Sequence, residues 1–250
     1  MPTELTRLRV SCFHSLRDVD LSLKGISVLE DLQGTATKDL AALLALLKAL
    51  AEGGLQRHLR ETQVLGAPHG QEPVCIELTF RDNLYGVELQ PHPEGSWCVA
   101  SESVDLLVGL SSLLVDPDQD APRAEATLSG FPLEVPERLT SPDSSRDDAE
   151  GEYLAQVLHG AMAWMRSVLL GIRGEPELSR APVTLCFIEE ADRDLPANAV
   201  WDRAQGVRAT AGQCQVLLCT ASPALAEAFD VRDVLHVETK SGVSLIKTAA

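Results

Sequence analysis

Residues Ser27–Gly54 read SVLEDLQGTATKDLAALLALLKALAEGG. An apolar run that begins at Ile26 leads into a polar turn carrying Gly34. From about Lys38 to Glu52, leucines and alanines then recur at three- and four-residue spacings, as a helix packed on a core requires. Gly53 and Gly54 supply the residues that most readily end a helix. The stretch therefore predicts strand, turn and long helix. Such a unit presents the unpaired N–H groups of a helix N-terminus beside the end of a strand.

The surrounding sequence decides the fold class. Upstream, LTRLRVSCF and VDLSL alternate as short strands. Downstream, VCIELTF, LYGVELQ and SWCVASESVDLL are separated by the turn segments RDN and PHPEG, which predicts an antiparallel meander. A variable, loop-rich insert is expected at about 100–150, and its section from Asp116 to Asp148 is rich in proline, serine and acid. A helix follows in EYLAQVLHGAMAWMRSVLLGI, with an apolar stripe of Leu154, Val157, Leu158, Met162, Met165 and Leu169. The final third alternates VTLCFIEE, PANAVWDRAQGVRATA, CQVLLCTA, SPALAEAF, VLHVET and VSLIKT. Buried apolar strands alternating with helices predict a largely parallel sheet. The expected fold is α/β: one domain over residues 1–250, a mostly parallel sheet with helices, and an N-terminal antiparallel β subdomain.

Composition narrows the function classes. The 250 residues carry 37 acidic and 21 basic side chains, a net charge of −16 that opposes nucleic-acid binding by this chain alone. The only loose basic cluster is Arg57, His58 and Arg60. No run of 18 apolar residues is present and the N-terminus lacks a signal-peptide core, so a cytoplasmic location without membrane contact is expected. Six cysteines show neither CxxC pairs nor interleaved histidines, which favours buried reduced thiols over a metal or disulfide framework.

The strand LCFIEE places Glu189 and Glu190 at its C-terminal end, where ligands collect in open α/β sheets. One carboxylate there can support Mg²⁺ and the next can orient an attacking water. Strands also end in acids simply because the chain returns to solvent. The order of segments adds to this reading. The opening strands, the Ser27–Gly54 unit, the meander, TLCFIEEADRDLPANAV and CQVLLCTASPALAEAFDVRDVLHVE together resemble the ATPase heads of the ABC class, in particular the SMC-like and AAA-type ATPases of bacteria, often found in defence systems. The resemblance covers the chain in order, except for about residues 100–148.

That resemblance implies a P-loop NTPase-like fold and a set of site positions. A phosphate loop, GxxxxGK[ST], wraps a phosphate in backbone N–H groups, bridges phosphates with its lysine and ligates Mg²⁺ with its hydroxyl. Here Asp31 stands at the first glycine, Ala36 at the second, Thr37 at the lysine and Lys38 at the hydroxyl, and only the middle Gly34 remains. Shifting the register to make Lys38 the lysine puts Asp39 at the hydroxyl, so that pattern fails as well. Glu189 matches the Mg²⁺-supporting acid and Glu190 the catalytic carboxylate, while the family's PExxLHP reads ADRDLPA. The family's THSP reads TASP, with Ala221 at the histidine. A signature near LSxGE finds its best match in Asp148–Glu152, with Gly151 and Glu152 retained. An acidic loop at a helix N-terminus explains the same residues, because negative charge is favourable there.

What the resemblance then implies is a catalytically degenerate head, a structural or regulatory subunit of a multi-protein complex with no cofactor expected. It would pair with itself, with an intact ATPase-like subunit or with an effector subunit. The alternative is a working enzyme that binds ATP and Mg²⁺, with Lys38 or Lys24 reaching the phosphates and Glu190 as base. A third reading is a protein-binding module acting through the acidic insert. His159 is expected as a packing or surface residue, and Trp164 and Trp201 as core or interface anchors.

Overall fold

A computed structural model describes residues 5–66, 72–92, 94–108, 111–115, 122–131, 146–174, 183–193 and 195–248. Its strands form two six-stranded sheets. The first comprises β1 (Leu5–Phe13), β2 (Leu16–Ser22), β4 (Val74–Phe80), β5 (Asn83–Pro91), β6 (Trp97–Val108) and β7 (Ser111–Val115), in the order β2-β1-β4-β5-β6-β7. Every pair in it is antiparallel. The second contains β3 (Ile26–Glu30), β8 (Ile172–Arg173), β9 (Leu185–Ile188), β10 (Gln215–Thr220), β11 (Val234–Lys240) and β12 (Val243–Thr248), in the order β12-β11-β3-β10-β9-β8. Its pairs are parallel except the edge hairpin β11–β12. The chain is therefore mixed α/β. The expected parallel sheet accounts for half of it, because the antiparallel part is a sheet of equal strand number. Strand β3, which reads with β1 and β2 along the sequence, leaves them and joins the parallel sheet.

Five helices accompany the sheets among the described residues: α1 (Thr35–Glu52), α2 (Leu55–Thr62), α3 (Arg146–Leu170), α4 (Val200–Ala211) and α5 (Pro223–Ala226). One apolar cluster joins the inner face of the first sheet, α1, α3 and one face of the second sheet. Leu40, Leu43, Leu46, Leu47 and Leu50 of α1 are fully buried there, each worth about 1.5–3 kcal/mol of transfer free energy. A second cluster joins the opposite face of the parallel sheet to α4 and α5. Neighbouring residues divide between the two clusters: Leu29, Phe187 and Leu217 point to the first, Val28, Cys186 and Val216 to the second. Burial on both faces is why these strands read as unbroken apolar runs.

The sheets meet directly. Ser244 N donates to Ser15 O at 2.8 Å where β12 passes β2. Gln215 clasps the backbone of Leu5 from the second sheet, donating to its O at 2.6 Å and accepting from its N at 3.4 Å. Both contacts hold the parallel sheet against the antiparallel one.

Several details depart from the sequence reading. Helix α1 begins three residues before Lys38, with Gly34 left-handed at its N-cap and Gly53 left-handed at its C-cap. Helix α2, LQRHLRET, is missing from the sequence reading because only Leu55 and Leu59 face the core. Its N-terminus is capped from far away: Glu125 accepts from Leu55 N at 2.9 Å and Gln56 N at 3.1 Å. Strands β6 and β7 and the start of α3 occupy the two ends of the insert read at about 100–150; residues 116–121 and 132–145 lie outside the described residues. Met162, Met165 and Leu169 of the α3 stripe are buried and Val157 and Leu158 half-buried, while the Leu154 side chain lies outside the described residues.

Trp164 packs edge-on against Phe80 at 5.8 Å, as a core anchor does. Trp201 is not in the core: it is 60% exposed, with the Arg208 guanidinium 5.4 Å from its ring centroid. His159 packs edge-on against Phe131 at 5.3 Å. None of the six cysteines is in a disulfide; four are buried, Cys12 is half-buried and Cys75 is exposed, the last two departing from the expected burial.

Candidate functional site

Strands β3, β10 and β9 run parallel, so their C-terminal ends come to one edge. There the loops following them enclose a cleft of about 290 Å³. Asp31, Leu32, Gln33, Gly34, Thr37 and Lys38 form one wall, Glu189, Glu190, Asp192 and Arg193 another, and Cys219, Thr220 and Ala221 the floor between. Five of the predicted positions, Gly34, Thr37, Lys38, Glu189 and Glu190, thus line one crevice, at the edge of an open α/β sheet where ligands bind.

The loop after β3 is anchored by its own strand neighbour, since Asp31 N donates to Thr220 O at 2.9 Å. Gly34 takes φ 68°, a conformation that costs an L side chain about 1–2 kcal/mol, and this reverses the chain into α1. The Asp31 side chain then folds into the loop. Asp31 is only 2% exposed. Its Oδ2 accepts from Thr37 N at 2.9 Å and Thr37 Oγ1 at 3.1 Å, and its Oδ1 accepts from Gln33 N at 3.3 Å. In a phosphate loop such N–H groups point at the phosphate. Here they are committed to a carboxylate of the loop itself.

The other loop positions follow from this. Thr37 is buried, with its hydroxyl turned to Asp31. Lys38 lines the cleft with an exposed side chain and makes no ion pair among the described residues. Asp39 is directed elsewhere: its Oδ2 accepts from Ser15 N at 2.9 Å and from the Ser15 hydroxyl, which lies 2.7 Å from Ser244 Oγ. Lys24 precedes β3, at the opposite end of the strand from the cleft, and pairs with Asp233 at 3.2 Å. A five-residue strand separates Lys24 from the crevice, about 16 Å at 3.3 Å per residue, so Lys24 is excluded as a phosphate ligand.

Glu189 and Glu190 follow β9, and both are exposed. Glu190 adopts φ 45° and pairs with Arg193 Nε at 3.3 Å. The left-handed turn is held by Arg193 N donating to Glu190 O at 2.8 Å and by Ala191 N donating to Cys219 O at 3.0 Å. Strain of this kind concentrates at functional sites. Asp192 belongs to the same crevice and was not singled out from the sequence. Its Oδ1 accepts from Thr220 Oγ1 at 2.7 Å and Ala221 N at 3.0 Å, tying the β9 loop to the end of β10. The available signal was its place in ADRDLPA, where the resembling motif also carries an acid. Burial pushes the Cys219 thiol up to about 12, reinforced by the nearby Asp31 and Glu189 carboxylates, so it stays protonated and unreactive.

Gly151 and Glu152 fall inside α3, which begins at Arg146, rather than before it. Beyond that helical backbone, both positions lie outside the described residues. Among the described residues no group of three or more histidine, cysteine, aspartate or glutamate side chains is arranged to hold a metal ion. Three features bear on whether this crevice suits a nucleoside triphosphate with Mg²⁺. The loop N–H groups of Gln33 and Thr37 are taken, Thr37 replaces the lysine, and Ala221 offers no side-chain donor.

No protein-family model matches the chain, and no curated protein matches it in sequence. Solved structures match it in fold. The SMC head domain from Thermotoga maritima shares 12% identity, with 99% of each chain covered and a TM-score of 0.49. An SMC head crystallised with the C-winged helix domain of ScpA shares 10% identity, covering 98% of this chain and 97% of that one, with a TM-score of 0.50. The second likeness, over nearly the whole of both chains, gives the protein the fold of an SMC head domain.

Proposed function

We propose that this chain is a catalytically degenerate ABC-type ATPase head, a cytoplasmic structural or regulatory subunit of a multi-protein complex. The observation that carries the reading is the Asp31 carboxylate within the loop, bonded to Thr37 and Gln33. Admitting a phosphate would set two anions against each other in a site without the loop lysine. One such contact at 4 Å costs about 4 kcal/mol at an effective dielectric of 20. Expelling the carboxylate instead would forfeit its hydrogen bonds to Thr37 and Gln33.

The partner in this reading is another protein. An SMC head of the same fold binds the C-winged helix domain of ScpA. By that precedent we assign this chain a protein partner, in a homo- or hetero-oligomer with an ATPase-like or effector subunit. Equilibrium binding of labelled ATP with Mg²⁺ tests the nucleotide part. No binding is expected, and a dissociation constant tighter than about 50 µM, roughly −6 kcal/mol, overturns it.

One observation favours a second reading, a slow ATPase with Glu190 as base: Glu190 is held left-handed at the cleft beside Glu189. That reading requires turnover by the purified chain that Glu190→Gln abolishes. The first reading expects no turnover in either protein.

A further inference from the structure

Beside α5, on the outer face of the parallel sheet, lies a second cavity of about 300 Å³ that shares no lining residue with the cleft. Its wall is apolar: Pro223, Ala226, Phe229, Val231 and Val234. Val231 is 54% exposed at the mouth, while Ala226, Phe229 and Val234 are buried behind it. The polar groups are Glu30, Glu227 and His236. Glu30 and His236 lie opposite each other across β3 and β11. The Glu30 side chain is 13% exposed, and its carboxylate pairs with Nδ1 of a half-exposed His236.

The charges around the cavity favour one sign of ligand. Lys24 is engaged by Asp233 at 3.2 Å, and Arg232 by Asp230 at 3.0 Å. Two carboxylates therefore face the cavity against a single imidazole. An anionic ligand would be repelled by Glu30 and Glu227. A neutral apolar one would leave the Glu30 carboxylate with only its histidine. A side chain with a methylene stem and a cationic head satisfies both the wall and the acids. The volume stands at the lower end of the roughly 300–1,000 Å³ of small-ligand pockets, which suits one side chain rather than a nucleotide.

We propose that this cavity is the docking site for a basic side chain, arginine or lysine, presented by a positively charged protein partner. The incoming cation takes the Glu30 carboxylate over from His236, and its stem lies along Val231 and Phe229. The net charge of −16 steers a partner of that sign toward this chain. The site does not depend on whether the cleft binds nucleotide, so the two readings fail separately.

The test is a titration of the full-length ¹⁵N-labelled chain with a capped Leu-Arg-Leu tripeptide, with capped Leu-Glu-Leu and spermidine as controls. Saturable shifts are expected at the amides of Ala226, Phe229, Val231 and His236. The arginine peptide should bind about tenfold or more tighter than the glutamate peptide, as a hydrogen bond between charged groups provides. Glu30→Gln should weaken it by a similar factor with an unchanged circular dichroism spectrum. Glu227→Gln, at the exposed residue that follows α5, supplies a second reading of the same loss. His236→Ala should tighten binding by freeing the carboxylate. Equal binding of the two peptides, indifference to both glutamate substitutions, or weaker binding by His236→Ala would overturn the proposal. Spermidine displacing the arginine peptide would overturn the assignment to a protein partner.

Discussion

The carboxylate of Asp31 accepts hydrogen bonds from both the backbone N–H and the hydroxyl of Thr37, six residues along, and so closes the first turn of α1 onto the end of β3. A single side chain thereby does two things at once: it satisfies a helix N-terminus and it sets a negative charge beside the cleft. Removing it should separate the two roles. Asp31→Gly is expected to lower stability by about 1–3 kcal/mol, because Thr37 N and Oγ1 lose their acceptor. The same variant should bind labelled pyrophosphate at least about tenfold more tightly than the parent, a difference of roughly 1.4 kcal/mol. Urea denaturation and equilibrium dialysis check the two parts. Unchanged pyrophosphate binding would show that the carboxylate is not what keeps anions out.

Asp192 offers a test of the opposite wall. Asp192→Ala leaves Thr220 Oγ1 and Ala221 N without their acceptor, which should cost about 1–3 kcal/mol. Asp192→Asn keeps an accepting oxygen and should cost less. In thermal unfolding the alanine variant should fall by some 2–4 °C per kcal/mol lost for a chain of this size. Equal melting temperatures for all three proteins would mean that the β9 and β10 loops are not coupled through this side chain.

Glu102 carries the most demanding role outside the cleft. It is fully buried in β6 and accepts from Tyr85 OH at 2.7 Å, Thr127 N at 2.7 Å and Leu128 N at 3.0 Å, with Arg123 at 3.2 Å. Glu102→Ala strands all four groups and leaves the arginine unpaired, a change expected to cost about 3–5 kcal/mol. The urea midpoint should fall accordingly, and Glu102→Gln should fall between.

Tyr85 gives that network a dependence on pH. Burial raises its hydroxyl well above the ordinary range, and the Glu102 carboxylate raises it further. A raised folded value means the folded chain holds the proton after the unfolded chain has released it. The stabilisation is therefore complete below about pH 10, the unfolded value, and is lost as pH rises beyond it. Tyr85→Phe should flatten the alkaline limb of stability against pH, measured by urea unfolding between pH 8 and 11. A limb of the same slope in the variant would assign it to other groups.

Much of the parallel sheet was legible because its residues obey local rules. Leu185–Ile188 and Gln215–Thr220 are buried on both faces, and a strand in that position leaves a continuous apolar run. Leu40 through Leu50 recur at helical spacing because α1 packs along its length. Two features stayed hidden, α2 because only Leu55 and Leu59 face the core and Asp192 because its partner is remote. Helix α2 is stabilised at its N-terminus by Glu125, and Asp192 acts through Thr220, and neither partner is near in sequence. At the cleft, the sequence singled out Gly34, Thr37, Lys38, Glu189 and Glu190, which the fold brings to one crevice. It did not reveal that Asp31 turns inward: an aspartate at that position reads as a repelling charge until its three donors are in view.

The clasp between Gln215 and Leu5 bears on how the chain is made as well as how it stands. The two residues are 210 positions apart. Strand β3 likewise waits for β10 and β11, its partners on either side. At a ribosomal rate of about 5–20 residues per second, those 210 positions take on the order of 10–40 s to emerge. During that interval the antiparallel hairpins can close while β3 has both edges bare, so folding of the parallel sheet is postponed until β10 and β11 have emerged.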